Sequence, residues 1–229
     1  MPSCLAPERA GARAGADEGT GDTMLRRIFA IWLVLVLGGC ASTQPITTSD
    51  RASVTSVSVN RTIPVPPNMY YLGPGGTVGM MFGVIGALAT EPIRQQDRTA
   101  FQASTTSTQT TTIDRIVYEE VLDSLRKSGK FPLKDEAEPG GAKIQVNVLM
   151  YGFSIPQGFS SKLVPILKLQ CVMTDAAGRV LWSASNQTMP LGNPVEGVPA
   201  DEIRNDPAKR EASWRAAARA LAAKIVATY

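Results

Sequence analysis

Few side chains in this chain are equipped for chemistry, and their spacing limits what that chemistry can be. Carboxylates recur as Glu119-Glu120 and as Asp135-Glu136-Glu138, and two such groups facing one another across a cleft would suit general acid/base work. The patterning argues otherwise: Glu119 and Glu120 fall on the polar side of an expected helix, and the second group sits in a Pro/Gly-flanked loop, so both read as solvated charge. The chain has 0 histidines, which removes His-based triads, His-ligated zinc and the commonest general base at neutral pH. It carries no Gly-x-Ser-x-Gly, no Walker loop and no paired-cysteine metal spacing. The expectation is a protein without catalytic residues, cofactor or metal. Cys171 alternates with Leu167, Leu169 and Met173 and reads as a small core residue rather than a reactive thiol.

That leaves one thiol in a chemically meaningful setting. In 24-MLRRIFAIWLVLVLGGCAST-43, Arg26 and Arg27 precede ten apolar residues, Ile28 to Leu37, which end at Gly38-Gly39-Cys40. A helix crossing the hydrocarbon core needs roughly 20 apolar residues, so this run does not make an upright span. The order of a positive segment, a short apolar segment and a small-residue cut site is that of an export signal. Leu37-Gly38-Gly39-Cys40 closely resembles the lipobox of bacterial lipoproteins. The resemblance implies cleavage after Gly39, a diacylglyceryl thioether on Cys40 and acylation of the new amino group. Ala41, where an Asp would signal retention, implies the outer membrane, with the domain in the periplasm.

Residues 1–23 precede this signal and do not fit it, so Met24 is expected to start the natural protein, with residues 24–39 as signal peptide. The first 39 residues hold four basic and four acidic groups, so the mature chain keeps the whole sequence's net charge of +3. That balance is too small to suggest nucleic acid. With Cys40 lipidated, no intramolecular disulfide can form in the mature chain.

Residues 40–52 are Ser/Thr-rich and are expected to be a flexible tether. A single domain over residues 53–229 follows. Alternation of Val54, Val57 and Val59 with Ser and Thr predicts a first strand within residues 53–66, closed by Pro64, Pro66 and Pro67. Residues 73–90 form a Gly-rich apolar insert in which Gly75, Gly79 and Gly83 are spaced by four. On a helix these would form one small-residue stripe. Three readings stay open for it: packing on its own domain or on a second copy, membrane contact, or an irregular loop. Residues 95–112 read as a polar, mobile surface linker with an exposed Phe101.

Ile113, Ile116, Val117, Val121, Leu122 and Leu125 then follow helical spacing up to a Gly129 cap. Ile144, Val146, Val148 and Met150 share one strand face. Residues 154–165 read as a loop, residues 166–174 and 179–185 as a hairpin about 175-DAAGR-179, and the four prolines of residues 189–207 predict a surface wrap. Residues 208–229 close the chain as a helix with Trp214, Ala217, Ala218, Leu221 and Ile225 on one stripe. The sum is an α+β two-layer domain, a small and mainly antiparallel sheet covered by two helices in the order β-α-β-β-β-α. It is similar to small periplasmic domains of envelope lipoproteins, and 68-NMYYLGPGG-76 and 151-YGFSIPQGFSSKLVP-165 resemble segments of uncharacterised proteobacterial lipoproteins. The implied role is a lipid-anchored, non-catalytic binding or scaffolding protein with an envelope protein as partner. The alternative is a subunit of an oligomeric envelope or secretion assembly that uses Gly75, Gly79 and Gly83.

Overall fold

The computed structural model describes residues 43–73, 96–105, 111–135, 140–157 and 160–229. The lipobox and the Gly75/Gly79/Gly83 stripe lie outside them. Helices α1 (Thr48–Ser53), α2 (Ile113–Ser128), α3 (Ala200–Asn205) and α4 (Pro207–Ala227) accompany a mixed sheet. Its strands are β1 (Val57–Val59), β2 (Tyr70–Leu72), β3 (Ala142–Ser154), β4 (Lys162–Thr174), β5 (Val180–Gln187) and β6 (Val198–Pro199). A further helical stretch covers residues 96–105. The domain is α+β.

The sheet is built on the long β3–β4 and β4–β5 antiparallel pairs. The edge beside β3 is made of two short pieces. β1 and β2 lie one after the other along β3, each parallel to it, with Val57 opposite Ala142 and Tyr70 opposite Gly152. Between them the chain passes Pro64, whose carbonyl accepts from the Val148 amide at 3.0 Å, so proline interrupts the edge without abandoning it. The parallel pairing follows from connectivity: β1 reaches β3 only through a crossover that contains α2. Across the sheet, β5 and β6 pair with opposite ends of β4.

One sheet face carries Ile144, Val146, Val148 and Phe153 of β3, Leu167, Leu169, Cys171 and Met173 of β4, and Trp182 of β5, all buried. α4 covers this face over β4 and β5, and α2 packs beside α4. Trp214, Ala217, Ala218, Leu221 and Ile225 of α4 are buried there, the stripe expected from spacing. The β4–β5 corner closes as its residues dictate: one Asp175 oxygen accepts from the amides of Ala177 and Arg179, and Gly178 takes φ 83°.

Four expectations are corrected. Residues 43–53 are not a free tether. Gln44 forms a two-way backbone bridge with Ser183 on the outer edge of β5 at 2.8 and 3.0 Å, and Ile46 is buried. Thr47 caps α1 by accepting from the Asp50 amide, and Arg51 lies 4.6 Å from the Tyr229 ring. An exposed strand edge holds unpaired peptide groups, and this segment satisfies one pair of them. Second, residues 96–105 are helical, and Phe101 is buried, stacked on Tyr71 at 4.1 Å and edge-on to Phe153. Third, the first strand is short, and β4 begins at Lys162, inside the expected loop. Fourth, residues 189–207 hold β6 and α3, whose Ile203 is fully buried. Pro199 leads into α3 and Pro207 opens α4, while every residue of 189–207 except Ile203 stays exposed or half-buried, so the segment does run over the surface but with elements of its own.

The amino-terminal docking depends on pH. The Arg179 guanidinium hydrogen-bonds Asp50 at 2.9 Å and, with the Thr47 hydroxyl, holds its carboxyl below the ordinary carboxylate range. A depressed folded-state value makes this contribution complete above the unfolded value, about 4, and lost as pH falls through the folded one. Asp50→Asn removes it at neutral pH. The expected outcome is several-fold faster tryptic cleavage after Arg51, with cleavage within α4 unchanged.

Candidate functional site

The two carboxylates that sequence spacing marks on α2 have different fates. Glu119 remains partly exposed and is tied by Arg115 of its own helix at 2.9 Å and Arg215 of α4 at 2.8 Å. Those bonds hold its carboxyl below the ordinary range. Glu120 is buried, which corrects its reading as solvated charge. Its two oxygens accept from Arg219 at 2.9 and 3.1 Å, and Arg215 approaches at 3.5 Å. Hydrogen bonds that Arg215 donates to Glu211 and then to Glu119 push its pKa above the ordinary value, and donation to Glu120 does the same for Arg219. This network is spent on holding α2 against α4. Glu120→Gln keeps the shape but ends the charge-assisted pairing, and should cost about 1 kcal/mol, read as a lower urea midpoint with an unchanged m value.

Asp135, the described member of the second carboxylate group, is exposed and paired with Arg126 at 3.2 Å. It borders a cleft of about 500 Å³ at the end of β1, where Ser58, Asn60, Arg61, Lys143, Gln145 and Thr174 also line the wall. β1 and β3 place these groups by their parallel register, with Ser58 opposite Lys143. The Asn60 amide donates to Gln145 at 2.7 Å and accepts from the Thr62 amide at 3.0 Å, and Gln145 donates to the carbonyl of Thr62 at 3.0 Å. The amides are thus fixed by the turn that follows β1. Among the described residues Arg61 and Lys143 make no ion pair, so the cleft presents two available cations beside amide and hydroxyl groups. Such a wall has the chemistry to suit anionic or hydroxyl-rich groups, and among the described residues Asp135 is the one carboxylate in it.

On the sheet face opposite the helices, neighbouring strands align Asn147, Gln170 and Ser185. These side chains are half-exposed, and the Asn147 amide approaches Gln170 at 3.4 Å. Sequence spacing did not single out Arg61 or Lys143. The available signal was weak: a basic residue just past a strand end, and another opening the next strand.

Gly39, Cys40, Gly75, Gly79 and Gly83 lie outside the described residues. The ends of the segment that carries those last three glycines are nonetheless fastened together. Tyr71 stacks on Phe101, and the Gln102 side chain donates to the Pro67 carbonyl at 3.1 Å. Cys171 is fully buried, and burial pushes its thiol up to about 12. Among the described residues no helix is long and apolar enough to cross a membrane, and no group of His, Cys, Asp or Glu could hold a metal ion.

No family model matches the chain, and no curated protein matches it. Among solved structures it is similar to a point variant of PelC from Paraburkholderia phytofirmans, crystallised as a dodecamer. Identity is 10% over 82% of this chain and 94% of that one, with a TM-score of 0.41.

Proposed function

We propose that this is a lipid-anchored envelope lipoprotein whose domain binds or scaffolds another envelope component without catalysing a reaction. One observation carries the reading: Arg26-Arg27, ten apolar residues and Leu37-Gly38-Gly39-Cys40 follow one another in the order an acylated export signal requires. The anchor is Cys40 after cleavage at Gly39, the membrane is the outer one, and the body stands in the periplasm. A two-layer layout, α2 and α4 on one face of the sheet and a polar face opposite, serves as the scaffold. The Arg61/Lys143 cleft is the binding surface this reading assigns.

Mass spectrometry of the natural product tests the anchor, with a triacylated peptide beginning at Cys40 as the expected result. An unmodified peptide running through Gly39 and Cys40 refutes it. Crosslinking in intact envelopes tests the binding role: wild-type protein should capture a partner that the Arg61→Glu/Lys143→Glu double variant loses. Equal capture by both removes the cleft from the proposal.

A second reading, a subunit that packs through Gly75, Gly79 and Gly83, draws support from the Tyr71–Phe101 clamp. The described residues that flank the segment, Tyr71 and Phe101, are held side by side. Under it Gly79→Leu abolishes oligomers in mild detergent, whereas a monomeric wild type eliminates it.

A further inference from the structure

The anchor proposed at Cys40 and the docked Gln44 are separated by very little chain. Four residues reach at most about 14 Å when fully extended. The Gln44–Ser183 bridge is antiparallel, so Thr43 lies on the Gln187 side of Gln44. A lipid on Cys40 therefore holds the body close to the bilayer, and the described residue nearest it in the chain, Thr43, lies toward the carboxyl-terminal end of β5.

What the domain presents at that end is apolar. Met189 is 54% and Leu191 77% exposed, the two most exposed large hydrophobic side chains among the described residues. They sit on a turn whose base is fastened to β4. The Thr188 hydroxyl donates to the Pro165 carbonyl at 2.9 Å and accepts from the Leu167 amide at 2.8 Å. The Asn193 amide donates to the same Pro165 carbonyl at 2.9 Å, and Gly192 turns the chain with φ 70°. Lys168, opposite Gln187 in the ladder, adds a half-exposed cation without an ion pair among the described residues.

We infer that Met189 and Leu191 form a membrane-facing tip that enters the headgroup boundary of the bilayer holding Cys40. The inference rests on the lipid-anchor reading above. A bilayer fits this tip better than a protein does: two side chains are far short of the roughly 800 Å² that a stable protein interface covers on each partner. They suffice as a second membrane signal beside acyl chains, because each buried methylene adds to the hold. A fastened base means the tip needs little ordering on entry, and Lys168 would face lipid phosphates.

The test uses the natural lipidated protein in vesicles of phosphatidylethanolamine and phosphatidylglycerol. Leu191→Cys carries an environment-sensitive fluorophore, and Ala176→Cys, in the turn at the opposite end of β5, serves as reference. Labelling is selective because Cys40 is held in a thioether and Cys171 is buried. The expected result is blue-shifted emission and several-fold weaker iodide quenching at position 191 than at 176, with the difference lost in a soluble Cys40→Ser form lacking the signal. Equal quenching at both positions in protein whose Cys40 is shown to be acylated overturns the membrane tip and leaves the lipoprotein reading standing. An unacylated Cys40 in the natural product removes both.

Discussion

Gly152→Ala should destabilise the domain by about 4 kcal/mol, a large share of the 5–15 kcal/mol typical of a folded domain. Gly152 sits in β3 at φ 151°, and a Cβ built there lies 1.8 Å from the Tyr70 carbonyl oxygen and 2.6 Å from its carbon. These are backbone atoms of β2, hydrogen-bonded into the sheet, so no rotamer change relieves the contact. β2 must leave the edge. With it go the Ile155 amide's bond to the Leu72 carbonyl at 2.9 Å, the burial of Met69, and the Tyr71–Phe101 stack. An unfavourable backbone conformation costs roughly 1–2 kcal/mol, and exposing one large apolar side chain roughly 1.5–3 kcal/mol. Gly192→Ala separates the causes: its φ is also positive, at 70°, but nothing lies within 4 Å of the added carbon. That variant should lose only about 1 kcal/mol. Urea midpoints followed by tryptophan fluorescence measure both, and equal losses would refute the backbone-clash account.

The parts of this fold that were legible in the sequence are those whose signal is local. Ile144, Val146 and Val148 alternate because β3 has one buried face, and 175-DAAGR-179 turns because Asp175 can accept from the two amides it meets. α2 could be read from Ile113 to its Gly129 cap, which takes φ 62° as a left-handed terminus requires. What could not be read is set by distant partners. Phe101 is the one large apolar residue in a polar stretch, and its burial depends on Tyr71 and Phe153 arriving from two strands. Glu120 falls on a polar helix face by spacing and becomes buried because α4 brings Arg215 and Arg219 over it. Residues 43–53 dock through backbone pairing, which leaves no trace in side-chain pattern, and the partners of Asp50 and Arg51, Arg179 and Tyr229, are remote in sequence. The cleft at the end of β1 was hidden for the same reason: Arg61 and Lys143 come to line one cleft only once β1 lies parallel to β3.

Arg210→Met should cost about 3 kcal/mol, although it replaces an exposed-by-habit residue with one of similar length. Arg210 is 1% exposed, in the opening turns of α4. One guanidinium nitrogen donates to the Ile203 carbonyl at 2.8 Å and to the Arg204 carbonyl at 3.3 Å, and another to the Thr105 carbonyl at 3.2 Å. These carbonyls belong to the last turn of α3 and to the end of helical residues 96–105, where acceptors lack intrahelical donors and the helix dipole favours a cation. One planar fork thus serves two helix ends, which a point charge cannot do. Burial pulls its pKa below the ordinary arginine value while Asp206 opposes the shift, and the group stays charged. Methionine keeps the packed stem and leaves three carbonyls without that donor, at roughly 1 kcal/mol or more each. Arg210→Lys restores the charge without the fork and should recover only part of the loss in urea midpoint. A purely steric role for the stem predicts that Met and wild type are equal, and a purely coulombic one that Lys and wild type are equal. Amide exchange adds the local signature: residues 96–105 and 200–205 should open together in Arg210→Met, because the same side chain joins them.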